Sequence, residues 1–398
     1  MVVGGGAAGF FGAIHYAEIN PGSRIIILEA AKEVLSKVRV SGGGRCNVTN
    51  ACFDPRQVIT NYPRGSKELL GPFTNFGPQE TIYWFNQHGI QLKTEKDGRI
   101  FPVSDNSETI IQCFLDLCKK YGIKICVSER VMKFYQQEDL KGWEIETSKA
   151  FYNSKNLFIA TGSDRRIWDQ LEEMGYHIIS PVPSLFTFNV SDKLLNGLMG
   201  ISVDAVNIKI KETKHNSTGS ILITHWGFSG PAILRLSARA ARELYDLGYE
   251  FEISIQWVSV NKDELINQLN EAKRNHSKKT IVTDSLFGIP ARLWNYLMDK
   301  SGINDQLVWA QSTSRQWTNI IKTLTDDSYK VSGKSTYKEE FVTAGGVDLK
   351  QINFRNFESK IHKGLFMAGE LLNIDAITGG FNFQAAWTGG YLVADGME

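Results

Sequence analysis

Three glycines, two alanines and a fourth glycine stand almost at the start of the chain, in the stretch VVGGGAAGF that begins at Val2. A second glycine run, SGGGRCNVTN, starts at Ser41 and joins Gly42, Gly43 and Gly44 to Arg45, Cys46 and Asn47, with Lys37 and Arg39 just before it. A third set, Gly369, Glu370, Gly380, Asn382 and Phe383, lies near the other end. Glycines let a backbone come close to a ligand, and a helix start behind them offers unpaired N–H groups to phosphate. Cations and an amide beside such a run suit an anionic or redox-active group. Two further clusters hold polar side chains at turns: THWGFSGP, with His225, Trp226 and Ser229, and VTAGGV, with Thr343, Gly345 and Gly346.

The first run matches G-x-G-x-x-G through Gly4, Gly6 and Gly9, with Ala7 and Ala8 at the free positions. A glycine-rich hexamer alone is a weak signal, equally readable as a flexible tail, so its context decides. It follows an apolar strand stub and opens AAGFFGAIHYAEI, a helix that Pro21 and Gly22 stop. The next strand, RIIILEA, is continuously apolar, as a strand buried on both faces of a parallel sheet should be, and ends in Glu29 and Ala30. Glu29 stands 20 residues beyond Gly9, where an acid can accept from ribose hydroxyls. It would repel a 2′-phosphate, so FAD or NAD is expected rather than NADP. Because the first strand is short, a few more residues are expected before it in the natural chain.

FAD is the longer ligand, and its ribityl chain and ring need contacts beyond the first turn. Gly369 and Glu370 end a strand, where a carboxylate can bind a polyol hydroxyl. Gly379, Gly380 and the helix near Asn382 can aim N–H groups at the flavin's pyrimidine edge and stabilise negative charge there. Ser41–Asn47 would pass beside the ring, with Asn47 near N5 and Arg45 facing the negative charge of the reduced ring. A packed glycine turn, a structural ion pair for Arg45 and a small buried Cys46 are the plainer alternatives. His225 is a candidate base or substrate donor, against a histidine that ties a turn.

The supporting elements follow. Residues 107–121 pattern as an amphipathic helix ended by Gly122; GIKICV, RVMKFYQQ and GWEIETS alternate like antiparallel strands. NLFIATGS is an apolar strand ending in a turn at Ala160, Thr161 and Gly162. The simplest organisation is one α/β domain built from 1–184 and 342–398, split by an insert over 185–341 that is β-rich from 185 to 260 and helical from 262 to 328. His215, His276 and the run EAKRNHSKK read as solvated surface.

Composition bounds the rest. The 398 residues are 42% hydrophobic and 22% charged, with a net charge of +1 from 44 basic and 43 acidic residues. No global field draws this chain to nucleic acid or an anionic membrane, and no basic, aromatic-rich stripe is visible. No apolar stretch approaches the ~18–20 residues of a membrane span. Five cysteines without a CxxC pair, and no charged region ahead of an apolar leader, read as reduced thiols in the cytoplasm. The seven histidines show no zinc spacing, so no metal is expected.

GGGAAG, SGGGRCNVTN, GRIFPVSD, THWGFSGPAIL, VTAGGV and GLFMAGELLNIDAITGGFNFQAAWTGGY occur in one order over nearly the whole chain. In this the chain resembles the bacterial BaiN-like flavoproteins, an FAD-binding family that includes aminoacetone oxidase and a dehydro-bile-acid reductase. GGGRCNVTN is specific to that family; the first glycine motif is shared by many flavoproteins. The resemblance implies a Rossmann-like FAD-binding domain split by an insert with a β-barrel-like and a helical part, and noncovalent FAD with its ring between domain and insert. It implies that Gly4–Gly9 hold the pyrophosphate and Glu29 the adenosine ribose. It further implies that Val131 meets adenine through its backbone, Gly42–Asn47 pass the ring, and Gly369, Glu370, Gly380, Asn382 and Phe383 close the site. One departure is local: members often read ATGG followed by more glycines, where this chain has Ala160, Thr161, Gly162, Ser163 and then the charged DRRIWDQLEEMGYHI.

The expected function is hydride transfer between flavin and a small molecule, with oxygen as acceptor or NAD(P)H as transient donor; no second nucleotide motif marks a separate nicotinamide domain. The rival readings are an FAD protein acting on RNA, and an FAD-binding sensor without turnover.

Overall fold

A computed structural model describes residues 1–137, 142–335 and 342–397. The chain divides into two compact units, with boundaries at Pro183/Ser184 and between Ser335 and Val342.

The unit containing both chain ends is built on a seven-stranded sheet. Its parallel core runs Leu365–Met367, Leu157–Ile159, Val2–Val3, Ile26–Leu28 and Lys124–Cys126 in spatial order. Two short antiparallel strands, Ile352–Asn353 and Glu358–Ser359, extend one edge. The four strands other than Lys124–Cys126 are short, wholly apolar and buried, as central strands of a parallel sheet are. Lys124–Cys126 corrects one expectation: it pairs in parallel with Ile26–Leu28 rather than joining an antiparallel set. Its alternating pattern reflects the open side of an edge strand. Val131–Gln136, Trp143–Thr147 and Phe151–Ser154 do form an antiparallel sheet of their own.

Helix Ala7–Ile19 follows the first strand and helix Phe381–Gly396 closes the chain. They pack so closely that a Cβ on Gly390 would lie 2.7 Å from the Ala8 carbonyl oxygen, and one on Gly12 would lie 3.0 Å from the Gly390 oxygen. Both helices are mostly buried, so their N-termini are held by the core rather than by solvent-facing side chains.

The second unit holds a closed six-stranded barrel in the order Thr187–Val190, Gly227–Ser229, Asn216–Thr224, Ser202–Ile210, Glu250–Gln256 and Asp327–Ser335. Phe188, Ile208, Ile221, Ile223, Phe228, Ile253, Ile255 and Val331 fill its interior from alternate positions. Helices Lys262–Asn275, Ala291–Lys300 and Ser314–Thr325 make the helical part. His215 and His276 are not simply solvated: His215 meets Glu243 at 2.8 Å and His276 meets Asp284 at 2.5 Å.

Candidate functional site

The first glycine turn is shaped by its neighbours. Gly4 donates its N–H to Leu28 O at 2.8 Å and has φ +106°, and a Cβ there would overlap the Ala160 carbonyl. A Cβ on Gly9 would overlap the Gly4 carbonyl. Only glycine lets strand, turn and helix approach this closely. Gly6 caps helix Ala7–Ile19 without a side-chain bond, and no acid stands in its first turn. The first intrahelical bond is Phe10 N–H to Gly6 O at 3.0 Å, so the N–H groups of Ala7, Ala8 and Gly9 precede the ladder and suit a phosphate.

Glu29 does more than wait for a ribose. Its Oε2 accepts from Gly5 N at 2.8 Å and its Oε1 from Ala31 N at 2.7 Å, so the carboxylate props up the turn. Ser128 N donates to Ala31 O and Glu129 N to Glu29 O, which brings buried Val131 to the same end of the sheet.

The second glycine run differs from a plain loop. Ser36–Gly44 is a helix that breaks at Ser41, Gly42 and Gly43, where Gly42 and Gly43 take φ +59° and +70°. Leu35 N–H ties its start to Gly5 O at 2.8 Å. Lys37 pairs with Glu370, and Arg39 with Glu108. Ser41 accepts Cys46 N–H on its carbonyl at 3.0 Å and donates its hydroxyl to Val38 O. The Arg45 guanidinium lies 3.9 Å from the Phe101 ring centroid and donates to Glu95 at 2.6 Å and Asp105 at 3.4 Å. Its Nε also donates to Gly42 O at 3.4 Å, which ties the side chain to the glycine run. Cys46 is fully buried, and burial pushes its thiol up to about 12 against a hydrogen bond with Ser41. Asn47 is buried with its Oδ1 2.9 Å from where a Gly380 Cβ would stand, so the second and third glycine runs meet there.

The closing segment is clamped from several sides. Glu370 Oε1 accepts from Thr343 N at 2.7 Å, and its other oxygen takes Lys37. A Cβ on Gly369 would stand 3.4 Å from the Ala8 Cβ, which puts this turn against the first one. Gly380, at φ +91°, caps helix Phe381–Gly396, again with no side-chain cap and no acid in the first turn. The Asn382 side chain is spent on its own loop: its Oδ1 accepts Ala376 N at 2.9 Å and its Nδ2 donates to Ala376 O at 3.2 Å. Phe383 stacks on Trp387 at 5.4 Å.

These links bring Gly4–Gly9, Glu29–Ala30, Lys37–Asn47, Val131, Ala160–Gly162, Gly369–Glu370 and Gly380–Phe383 together in one unit. His225 belongs to the other unit. It is exposed on the hairpin turn after Asn216–Thr224, its ring against Trp226. Gly345 and Gly346 serve close packing: a Cβ on Gly345 would lie 2.7 Å from Pro181 Cα, and one on Gly346 would overlap the Leu371 carbonyl.

Sequence reasoning missed several residues that hold the cradle. Trp168, in the helix formed by the charged departure segment (Arg165–Glu173), donates its indole N–H to Leu371 O at 2.9 Å. Buried Asp375 pairs with both arms of Arg64. Tyr62 donates its hydroxyl to Phe381 O at 2.6 Å. Each acts across more than 200 residues of sequence, a separation no local pattern signals. Thr161 and Thr343 carry buried hydroxyls without a hydrogen-bond partner among the described residues.

The arrangement suits an extended dinucleotide: two helix starts without a side-chain cap, glycines that a Cβ would block, and buried hydroxyls with no partner among the described residues. The profile described as "HI0933-like protein Rossmann domain" matches residues 1–396. The chain belongs to this family. Among curated relatives, the ribosomal RNA dihydrouridine synthase of Haemophilus influenzae is 28% identical and covers 99% of this chain and 97% of its own. A 3-dehydro-bile acid delta(4,6)-reductase of Clostridium scindens is 26% identical over 98% of this chain and 97% of its own. Among solved structures, a 3-ketosteroid-delta4-(5alpha)-dehydrogenase from Rhodococcus jostii RHA1 shares the fold, with a TM-score of 0.51 at 11% identity, covering 99% of this chain and 96% of that one. This member of the HI0933-like family is thus a flavin-dependent oxidoreductase with FAD as its cofactor. Among the described residues no helix is long and apolar enough to cross a membrane.

Proposed function

We infer that this chain is an FAD-dependent reductase that adds hydride and a proton across a carbon–carbon double bond conjugated to a carbonyl. The observation that carries the reading is the cradle of glycine turns and helix starts, in a member of a family in which two curated relatives carry names that share one chemistry. Dihydrouridine differs from uridine by two hydrogens across a C=C bond beside a carbonyl. A delta(4,6)-reductase acting on a 3-oxo acid saturates bonds conjugated to that ketone. Both substrates accept hydride at the carbon remote from the carbonyl.

Bound FAD supplies the two-electron chemistry. The chain's residues do the rest. The N–H groups at Ala7–Gly9 bind the pyrophosphate, and Glu29 holds the turn and a ribose hydroxyl. The start of helix Phe381–Gly396, behind Gly380, stabilises negative charge at the pyrimidine edge. Arg45, anchored on Glu95, Asp105 and Phe101, keeps Gly42–Gly44 in their left-handed conformation. The electrons come from NAD(P)H, used transiently because no second nucleotide motif is present. The substrate is a small unsaturated carbonyl compound.

A second substrate, a uridine within ribosomal RNA, is favoured by the names of two relatives, each 28% identical over nearly the whole chain. The near-neutral charge of +1 gives it no electrostatic support. The test is anaerobic: reduce the holoprotein with NADPH, then add either a cyclic enone or unmodified ribosomal RNA. Reoxidation by the enone supports the first substrate and reoxidation by RNA the second. Reoxidation by neither, with rapid turnover on oxygen, defeats the reductase reading.

A further inference from the structure

The strand Val342–Val347 carries a side chain that the fold leaves unused. Thr343 is only 2% exposed, and its hydroxyl has no hydrogen-bond partner among the described residues. A buried hydroxyl left that way is destabilising, and one kept in place calls for an explanation. Its surroundings supply one. The Thr343 amide donates to Glu370 Oε1 at 2.7 Å. A Cβ on Gly162 would lie 3.8 Å from the other oxygen of that carboxylate, and Thr161, one residue earlier, has the second unpartnered buried hydroxyl. Glu370 directly follows Gly369, which stands against Ala8 in the first turn of the helix whose leading N–H groups would take the pyrophosphate. Two hydroxyls and a carboxylate therefore converge beside the place where the pyrophosphate ends.

On its flavin side the pyrophosphate of FAD continues into the ribityl chain, a run of hydroxyls that each donate and accept. A carboxylate only accepts, whereas a threonine hydroxyl rotates to do either. Lys37 neutralises Glu370, so the carboxylate can lie beside a neutral polyol without an unpaired charge. We propose that the Thr343 hydroxyl, together with Glu370 and Thr161, binds the ribityl chain of FAD. Thr343 is then a cofactor contact rather than a residue of the substrate pocket. The proposal rests on FAD being the cofactor.

The experiment uses the full chain stripped of flavin, in wild type, Thr343→Val and Thr343→Ser. Apoprotein is titrated with FAD by flavin fluorescence, apo and holo forms are melted, and the midpoint potential is read by dye equilibration. Losing one such bond should raise the FAD Kd about tenfold in Thr343→Val. Thr343→Ser should stay within about twofold. The Thr343→Val apoprotein should melt no lower than wild type, because the change removes an unpartnered hydroxyl, and the rise in Tm on adding FAD should shrink. The potential should not move, since the polyol is insulated from the ring. An unchanged Kd in Thr343→Val would overturn the proposal. So would an apoprotein that unfolds or loses as much stability as the holoprotein, which marks a structural role. A shifted potential with tight FAD would overturn it by placing the hydroxyl at the ring. A wild-type apoprotein that never binds FAD would instead remove the flavin reading itself.

Discussion

Gly43→Ala separates the demands of the fold from those of the cofactor. Gly43 sits in the left-handed region at φ +70° and ψ +37°, inside the break of the Ser36–Gly44 helix. An alanine there costs about 1–2 kcal/mol of backbone strain. Beyond its own stretch of backbone, no described heavy atom lies within 4 Å of the added Cβ, so no packing clash is added to that cost. At about 2–4 °C per kcal/mol for a unit of this size, the apoprotein should melt about 2–8 °C lower and remain folded. The bound form should suffer more. If the backbone at Gly42–Gly44 approaches the flavin closely, the methyl intrudes into that contact at about 1–3 kcal/mol, roughly 5- to 150-fold in FAD Kd. The assay is a fluorescence titration of apoprotein with FAD beside melting of both forms. A variant with the expected small loss in apoprotein Tm but wild-type FAD affinity would refute the close approach.

Gly9→Ala should behave oppositely, because its Cβ overlaps the Gly4 carbonyl whether or not a ligand is present; a large fall in Tm of the apoprotein, measured calorimetrically, is expected. Trp168→Phe strands the buried Leu371 carbonyl and should lower the melting temperature by an amount equivalent to about 1–3 kcal/mol while leaving a foldable protein. The Glu18 cluster should give a pH signature. Burial pushes the Glu18 carboxyl up, but hydrogen bonds and charge from His15 and His88 outweigh it and hold it at about 2. His88 is raised: burial lowers it, but its bonds to Glu18 at 2.8 Å and the Trp84 carbonyl at 2.7 Å prevail, and two acceptor partners require both ring nitrogens protonated. Glu18's contribution is full above its ordinary 4.5 and fades as pH falls toward about 2. His88's is full below its ordinary 6.5 and fades as pH rises through its raised value. The pair therefore stabilises most between about pH 4.5 and 6.5, and Glu18→Gln should flatten the Tm-against-pH curve there; an unchanged curve contradicts the assignment. Cys46, with its thiol near 12, should resist alkylation at pH 8 in the native protein and react once unfolded.

Local chemistry was readable from the sequence; long-range partnership was not. Gly4, Gly6, Gly9 and Glu29 declared a strand–turn–helix–strand unit because its parts lie within 30 residues and each has one physical reason to be there. The insert read only as β-rich to 260 and helical from 262; its barrel came from the family resemblance, and the closing strand Asp327–Ser335 lies beyond the stretch read as β-rich. The pairing sense of Lys124–Cys126 was not legible, since an edge strand of a parallel sheet and an antiparallel strand both show one polar face. The sequence left Arg45 open between a flavin contact and an ion pair, and its partners Glu95 and Asp105 lie 50 and 60 residues away, beyond any local pattern. That the Asn382 side chain folds back on Ala376 had no pattern to announce it. His225 looked chemical by type, yet the fold puts it on an exposed hairpin turn in the second unit.

The visible absorption spectrum of the purified protein tests the central claim most directly, followed by heat release and identification of whatever absorbs. The account predicts a flavin band with near one FAD per chain, released intact by heat because nothing covalent holds it. A colourless protein whose apo form leaves added FAD fluorescence unquenched would contradict it, and the glycine cradle would then belong to another ligand.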